Sequence, residues 1–327
     1  MRADRKQNMS ETRRWLLRAA AVLTWLLLWQ LAAWAIAEPV LLPSPLHVFV
    51  RFFELVVTAR FWTMAMLTSG RIVLGFLIAF LLGVLLAIAA ASNRLIQTFL
   101  WPPLAAIKSI PVASIIVLLL VVLKPDPLPH TVAVLLVLPL IYMNTLTALQ
   151  NVDRNLLEMA TSFGLDRRTV FFAVYLPALR PLLTAAAGTG AALSFKAGVA
   201  AEIIAVPMRS LGASIYEARI HLATEDLFAV TIAVVILGAL FEYLVRQGLK
   251  ILFRRMEKEP GRYAKKPLAA ADEPLTDIVV NGLCFSYEGH AGKRLFEGFN
   301  HVFPGEKKTL ITGASGCGKT TLLRLLL

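Results

Sequence analysis

Charge is scarce in this chain. Asp, Glu, Lys and Arg make up 17% of its 327 residues, against about a quarter in ordinary globular proteins, which excludes a domain wetted on every side. Cysteine is scarcer still. Cys284 and Cys317 are too few to staple a chain of this length, and both fall in its most polar part, so they read as reduced thiols. The five histidines show no metal-ligand spacing and no side chains fall into a nucleophile-and-base pattern, so neither a metal centre nor a catalytic residue is expected. What fills the chain is apolar: 57% of residues are hydrophobic and the mean hydropathy is +0.69. The excess is segmented into blocks of about 20 residues, the length of helix that crosses a hydrocarbon core of about 30 Å.

The blocks predict an all-α polytopic membrane protein with six transmembrane helices, near 15–37, 64–91, 99–123, 131–149, 182–206 and 227–249. If residues 1–14 are cytoplasmic, the inner segments hold 18 Lys and Arg and the outer ones 5, an excess that puts both termini in the cytoplasm. Trp15 and Trp101 then fall at the inner interface, and Trp34 and Trp62 at the outer. Half of the net charge of +12 lies in 246–266, directly after the last block, which is a positive-inside flank rather than a nucleic-acid patch. The first block has a second reading, because Arg13, Arg14 and Arg18, an apolar run and Ala35-Ile36-Ala37 also resemble a signal peptide. Its length favours a retained span.

Beyond the permease-length region 15–256, residues 257–274 mix Pro260, Gly261, Pro267 and Pro274 with charges and alanines, as a linker does. From 275 to 327 the pattern turns soluble, with apolar runs at Ile278–Val280 and 308–312 expected as strands and a helix from Thr320. Between them stand Gly313, Ala314, Ser315, Gly316, Cys317, Gly318, Lys319 and Thr320, with Thr321 next: a full G-x-x-x-x-G-K-[ST] loop. Its glycines let backbone N–H groups wrap a phosphate, Lys319 offers charge to the β/γ-phosphates and Thr320 a hydroxyl to Mg²⁺. Cys317 reads as a small residue tolerated in the loop, with a redox role as the alternative. Tyr287, 26 residues upstream, and the Pro304-Gly305-Glu306 turn resemble the ATP-binding cassette family, in which an aromatic at this place stacks on adenine. The family's other catalytic motifs lie further along than seven residues past Thr320, and about fifty residues enclose no complete core. The expectation is an incomplete α/β P-loop ATPase segment that uses ATP and Mg²⁺ only when a cassette is completed, and does not hydrolyse ATP by itself.

Between the fourth and fifth blocks the chain reads Glu158, Met159, Ala160, three residues, Gly164, then Val174-Tyr175-Leu176-Pro177. Small Ala160 and the break at Gly164 allow a helix, a tight turn and a second short helix over 167–174, which Pro177 is expected to end. The spacing resembles E-A-A-x-x-x-G-x₉-I-x-L-P, the cytoplasmic loop of binding-protein-dependent ABC permeases, with Met159 and Val174 as mild departures. Leu42-Pro43-Ser44-Pro45, Arg71-Ile72-Val73-Leu74-Gly75-Phe76 and Ile110-Pro111-Val112 resemble the branch importing nitrate, sulfonates, taurine or thiamine-precursor pyrimidines. The resemblance implies a bacterial inner-membrane permease subunit whose loop, 151–177, takes up the motion of ATPase subunits. It also implies a second permease subunit and a periplasmic or lipid-anchored solute-binding protein as partners. A secondary transporter or channel, and a nucleotide-sensing anchor, are the alternatives.

Arg71, Lys108, Lys196 and Glu202 sit within spans, where an unpaired charge costs several kcal/mol. Arg71 and Lys108 lie nearer span ends, within reach of the interface. Lys196 and Glu202 are candidates for lining a translocation path, the alternative being an ion pair with each other or with a neighbouring helix. The inside-positive pattern generates a direct prediction: in a Ser162→Cys variant, a membrane-impermeant thiol reagent labels the loop in inverted vesicles and not in intact cells. Labelling from outside the cell overturns the topology.

Overall fold

The computed structural model describes residues 11–257, 277–286, 295–305, 308–314 and 316–326. The chain divides into two units, Met1–Tyr263 and Ala264–Leu327. The first is helical among its described residues, and five of its helices are long and apolar enough to cross a membrane, or six if one bent pair counts as a single span.

In order these are α1 (Glu11–Ile36), α2 (Pro45–Val56), α3 (Ala59–Ser92), α4 (Arg94–Ser109), α5 (Val112–Val122), α6 (Leu128–Gln150), α7 (Arg154–Ser162), α8 (Arg167–Val170), a π turn at Phe171–Tyr175, α9 (Leu176–Ala205), α10 (Leu211–Ile220) and α11 (Thr224–Glu257). Five of the six expected blocks coincide with α1, α3, α6, α9 and α11, most of which run past the expected ends. The block at 99–123 does not form one rod: α4 and α5 meet at 105°. The cause is local. Pro111 carries no N–H and its ring disfavours helical geometry at the residue before it, so Ile110 turns extended, with φ −77° and ψ 132°.

Two helices had no place in the span pattern. α2 is too short to span and α10 too mixed in composition. Each is set by its cap: the Ser44 hydroxyl accepts from the His47 N–H and the Ser210 hydroxyl from the Ala213 N–H, which satisfies first-turn donors. α1 is tied to the loop ahead of α2 and to α11, since Trp29 donates through its indole N–H to the Pro43 carbonyl and stacks near Phe228.

The core lies where α3, α6 and α9 pack along one another with α11 across them. Phe76, Ala79, Val137, Ile141, Leu183, Ala187 and Ala191 fill its centre. In lipid no hydrophobic effect pulls helices together, so close backbone approach and dispersion do the work. At Gly75 α3 lies close against α6: a Cβ there would stand 2.5 Å from the His130 carbonyl oxygen.

The second unit holds β1 (Ile278–Phe285), β2 (Phe296–Phe303) and α12 (Lys319–Leu326). The strands pair antiparallel, Ile278 opposite Phe303, with irregular register after Val280 and after Leu283. The strand expected at 309–312 is not present. A strand exists only as a member of a ladder, and among the described residues the backbone of 309–312 joins none; the ladder runs instead between Ile278–Phe285 and a segment that the sequence pattern left unassigned. The helix after the glycine loop is present as α12. The linker 257–274 falls outside the described residues except for Glu257, the last residue of α11.

The packing at Gly75 makes a prediction about two glycines of equal propensity. Replacing a helical glycine by alanine gains up to about 1 kcal/mol where space is free. Overpacking costs about 1–3 kcal/mol where it is not. Gly75→Ala is expected to lower the unfolding midpoint in detergent, and Gly248→Ala, which meets nothing within 4 Å, to hold or raise it. The same shift in both would refute the close α3–α6 contact.

Candidate functional site

Glu202 is fully buried on α9. Its Oε2 accepts from the Thr68 hydroxyl at 2.9 Å and from the Gly212 N–H at 3.1 Å, and Oε1 stands 3.6 Å from Nη1 of Arg71. The Thr68 oxygen accepts in turn from the Leu211 N–H at 3.0 Å. Through its other nitrogen, Nη2, Arg71 donates to Oδ1 of Asp126 at 2.8 Å and to the Met208 carbonyl at 3.4 Å. One carboxylate therefore gathers α3, α9, the start of α10 and, through Arg71, the loop ahead of α6. A pocket of about 440 Å³ opens beside this node, lined by Arg60, Thr63, Arg209, Ser210, Ser214 and Glu217 among others.

Lys196 is not part of the node. It lies exposed on α9, and the partner of Glu202 is Arg71 on a different helix. The expected alternative of a pair between Lys196 and Glu202 is thus replaced by a pair across α3 and α9. Six positions along an α-helix put two side chains about 120° apart, whereas Nη1 of Arg71 comes within 3.6 Å of the carboxylate. A further pair at the inner end of the sixth block, Arg246 with Glu242 at 2.8 Å, is readable from its i, i+4 spacing. Thr68, Asp126 and Gly212 carried no such signal, since each meets its partner only through packing of distant segments.

The loop at 151–177 is built by caps. Asp153 accepts from the Asn155 N–H to start α7. At the other end Gly164 takes φ +61°, the left-handed region that only glycine enters freely. The Leu165 N–H then reaches the Ala160 carbonyl and the Gly164 N–H the Thr161 carbonyl, each at 3.0 Å, the Schellman pattern that closes a helix. Asp166 caps α8, and a hydrogen bond from the Thr169 hydroxyl, aided by the Arg168 N–H, holds its carboxyl below the usual carboxylate range. That contribution to loop stability is present above the ordinary carboxylate pKa and is lost only as pH falls through the lowered one.

Pro177 does not end the segment. Residues 167–205 form one continuous helical span, with the Leu176 N–H donating to the Phe171 carbonyl five residues back. The expected break fails because the wider π turn moves the backbone clear of the proline ring, which in a regular α-helix would strike the carbonyl four residues earlier. Ala160 and Val174 are buried, Met159 and Pro177 exposed, and Glu158 exposed beside them.

In the second unit the Lys319 ammonium donates to the carbonyls of Gly313 at 2.8 Å and Ala314 at 2.7 Å, folding back over its own loop. Gly316 and Gly318 take φ +85° and +95°. Lys319 and Thr320 open α12, whose first-turn N–H groups have no acceptor within the helix; Thr321 comes next. Cys317 is an exposed free thiol. Tyr287 and Ser315 lie outside the described residues.

With this geometry in hand, comparison with known proteins is decisive for the membrane unit. Residues 72–258 match the family described as binding-protein-dependent transport system inner membrane component. The chain belongs to that family. Among its relatives is the formylaminopyrimidine transport permease protein of Halalkalibacterium halodurans, 27% identical over 59% of this chain and 71% of the relative. The riboflavin transport system permease protein of Chloroflexus aurantiacus is 29% identical over 67% and 85%, and the taurine transport system permease protein of Escherichia coli 26% identical over 70% and 83%. The match to the family takes in Glu202, Gly212, the loop and Lys196, begins one residue after Arg71, and ends beside the last residue of α11. This permease component is a multi-pass membrane protein, and the relatives are named as transport permeases rather than enzymes.

The node predicts a graded loss of stability. Glu202→Ala leaves Arg71, Thr68 and the Gly212 N–H without their shared acceptor at membrane depth and is expected to cost about 3–5 kcal/mol. Glu202→Gln, which keeps one oxygen, costs less. Thermal unfolding in detergent reads both, and a Glu202→Ala midpoint equal to the parent's overturns the assignment.

Proposed function

We propose that the chain is the transmembrane subunit of an ATP-driven importer for a small polar or anionic solute, in a bacterial cytoplasmic membrane with both termini inside. The observation that carries this reading is the build of the loop. α7 and its turn present Leu156, Met159, Phe163 and Leu165 to solvent, 42–63% exposed, an apolar knob with Glu158 at its side on a segment otherwise polar. Ala160 is buried within α7 and Val174 within the π turn, and an unbroken helix runs from Arg167, two residues past the knob, to Ala205, with the Glu202 node near its far end. A push on the knob therefore moves a span rather than flexing a linker.

The family's description as binding-protein-dependent supports a solute-binding protein as one partner. An ATPase subunit pair seated on the knobs, and a second permease subunit forming the path between them, complete the assembly in this reading. ATP closes the cassettes and biases the permease between inward-open and outward-open states, which requires that nucleotide bind the two states with different affinity. The names of the relatives, formylaminopyrimidine, riboflavin and taurine, support a small organic solute. The second unit reads as an ATP-binding segment: Gly313–Gly318, Lys319 and Thr321 would hold the phosphates, Thr320 would offer a hydroxyl to Mg²⁺, and Tyr287 would meet the base.

Gly164 supplies the test. A left-handed backbone costs a β-branched residue about 1–2 kcal/mol, while asparagine enters it more readily. In proteoliposomes that hold permease, ATPase and binding protein, Gly164→Val is expected to reduce ATP-driven uptake at least tenfold and Gly164→Asn to retain most of it. Uptake by Gly164→Val at the parent rate, or uptake by the parent without ATP, overturns the reading.

A further inference from the structure

Lys196 is the charge on these spans that the packing leaves unexplained. It stands nine residues before Ala205, about 13 Å along the axis of α9 at about 1.5 Å per residue, and about 30 Å from Leu176. Its side chain leans toward the helix N-terminus, as all helical side chains do, which is away from the nearer end of the span, so snorkelling to that interface runs against the geometry. Among the described residues no hydrogen bond or ion pair reaches it. Other charges on these helices differ. Arg71 and Glu202 face each other, Arg246 holds Glu242, and Lys108 sits in the last turn of α4, where a cation compensates the helix's free carbonyls.

The surface around Lys196 also differs from a lipid-facing one. Between Leu74 and Ile88 the exposed residues of α3 are large aliphatic ones, Leu77, Leu81 and Leu85 among them. On α9 the neighbours on the outward face of Lys196 are Thr189, Ala192 and Ala200 with Leu193 and Ile203 half-buried beside them, a face on which small side chains predominate. An ammonium among these side chains would cost several kcal/mol against hydrocarbon; against water it costs nothing.

We propose that Lys196 stands in the wall of a water-filled solute path between this chain and its partner subunit, where its charge selects anionic solutes over cationic ones. The inference rests on the importer reading above and narrows its solute class from small and polar to anionic. A negatively charged group passing Lys196 exchanges part of its hydration for a fixed ammonium, while a cation meets repulsion in a narrow space where field lines are focused.

Ala192, one turn toward the N-terminus and under the lean of the lysine, is the reporter. Membrane vesicles bearing the full-length chain with Ala192→Cys are treated with anionic sulfonatoethyl methanethiosulfonate or with the cationic trimethylammonioethyl reagent. Modification is read on the Ala192 peptide by mass, so that Cys284 and Cys317 do not enter. Both reagents are expected to react at least tenfold faster than with a lipid-facing Leu77→Cys control. The anionic-to-cationic rate ratio is expected to fall about tenfold when Lys196→Met is added and to persist with Lys196→Arg. Two results overturn the proposal: reaction at Ala192→Cys no faster than at Leu77→Cys, which makes the face dry, or a ratio unmoved by Lys196→Met, which makes the charge irrelevant to the path. The reaction uses no ATP. Its failure with intact Gly164-dependent uptake would remove the role of Lys196 alone, and the converse would remove the energy source alone.

Discussion

A polar group at membrane depth has to find its partner inside the protein, because hydrocarbon offers none. Much in the membrane unit depends on how that constraint is met at one carboxylate. Glu202 could be carried by a helix of alanines and glycines only because Thr68, Arg71 and the Gly212 amide converge on it, with the Leu211 amide holding Thr68 in place. The convergence fixes where α3 crosses α9 and obliges the short helix α10 to begin at Leu211. It also stations Arg71 beneath the loop that carries Asp126. Removing any one member leaves the others stranded, so the group behaves as a unit.

The spans are legible in the sequence because their signal is additive: some twenty apolar residues in a row need no knowledge of neighbours. So is the loop at 151–177, whose caps are local devices, a glycine with positive φ and aspartates placed to accept from N–H groups two residues on. What escapes is whatever depends on a second segment. The bend between α4 and α5 is signalled by Pro111, yet hydropathy alone runs through it. Pro177 has the look of a stop, and the π turn that admits it emerges only from the balance of the whole segment. The partner of Glu202 lies 131 positions away, and nothing in either stretch names the other. In the second unit, β2 is hard to see because its residues, Phe296 to Phe303, alternate too loosely to announce a strand before a partner supplies the ladder.

The two ends of α9 divide the labour of the proposed machine. At one end the helix is pinned by the buried node, and at the other it runs unbroken into α8, next to the Gly164 turn that carries the apolar knob. A rigid rod held at one end and pushed at the other pivots, and this gives small movements at an ATPase surface a mechanical route to the opposite side of the bilayer. Lys196 sits between pivot and knob.

The π turn at Phe171–Tyr175 adds a consequence of phase. One extra residue in a helix advances every later residue by about 100°, so the azimuth at which the knuckle projects from the membrane is encoded by that single widened turn. Excising one residue from it would leave both ends folded and still joined by helix, but would swing the apolar knob about a quarter of the way around the rod, away from the ATPase surface proposed to receive it.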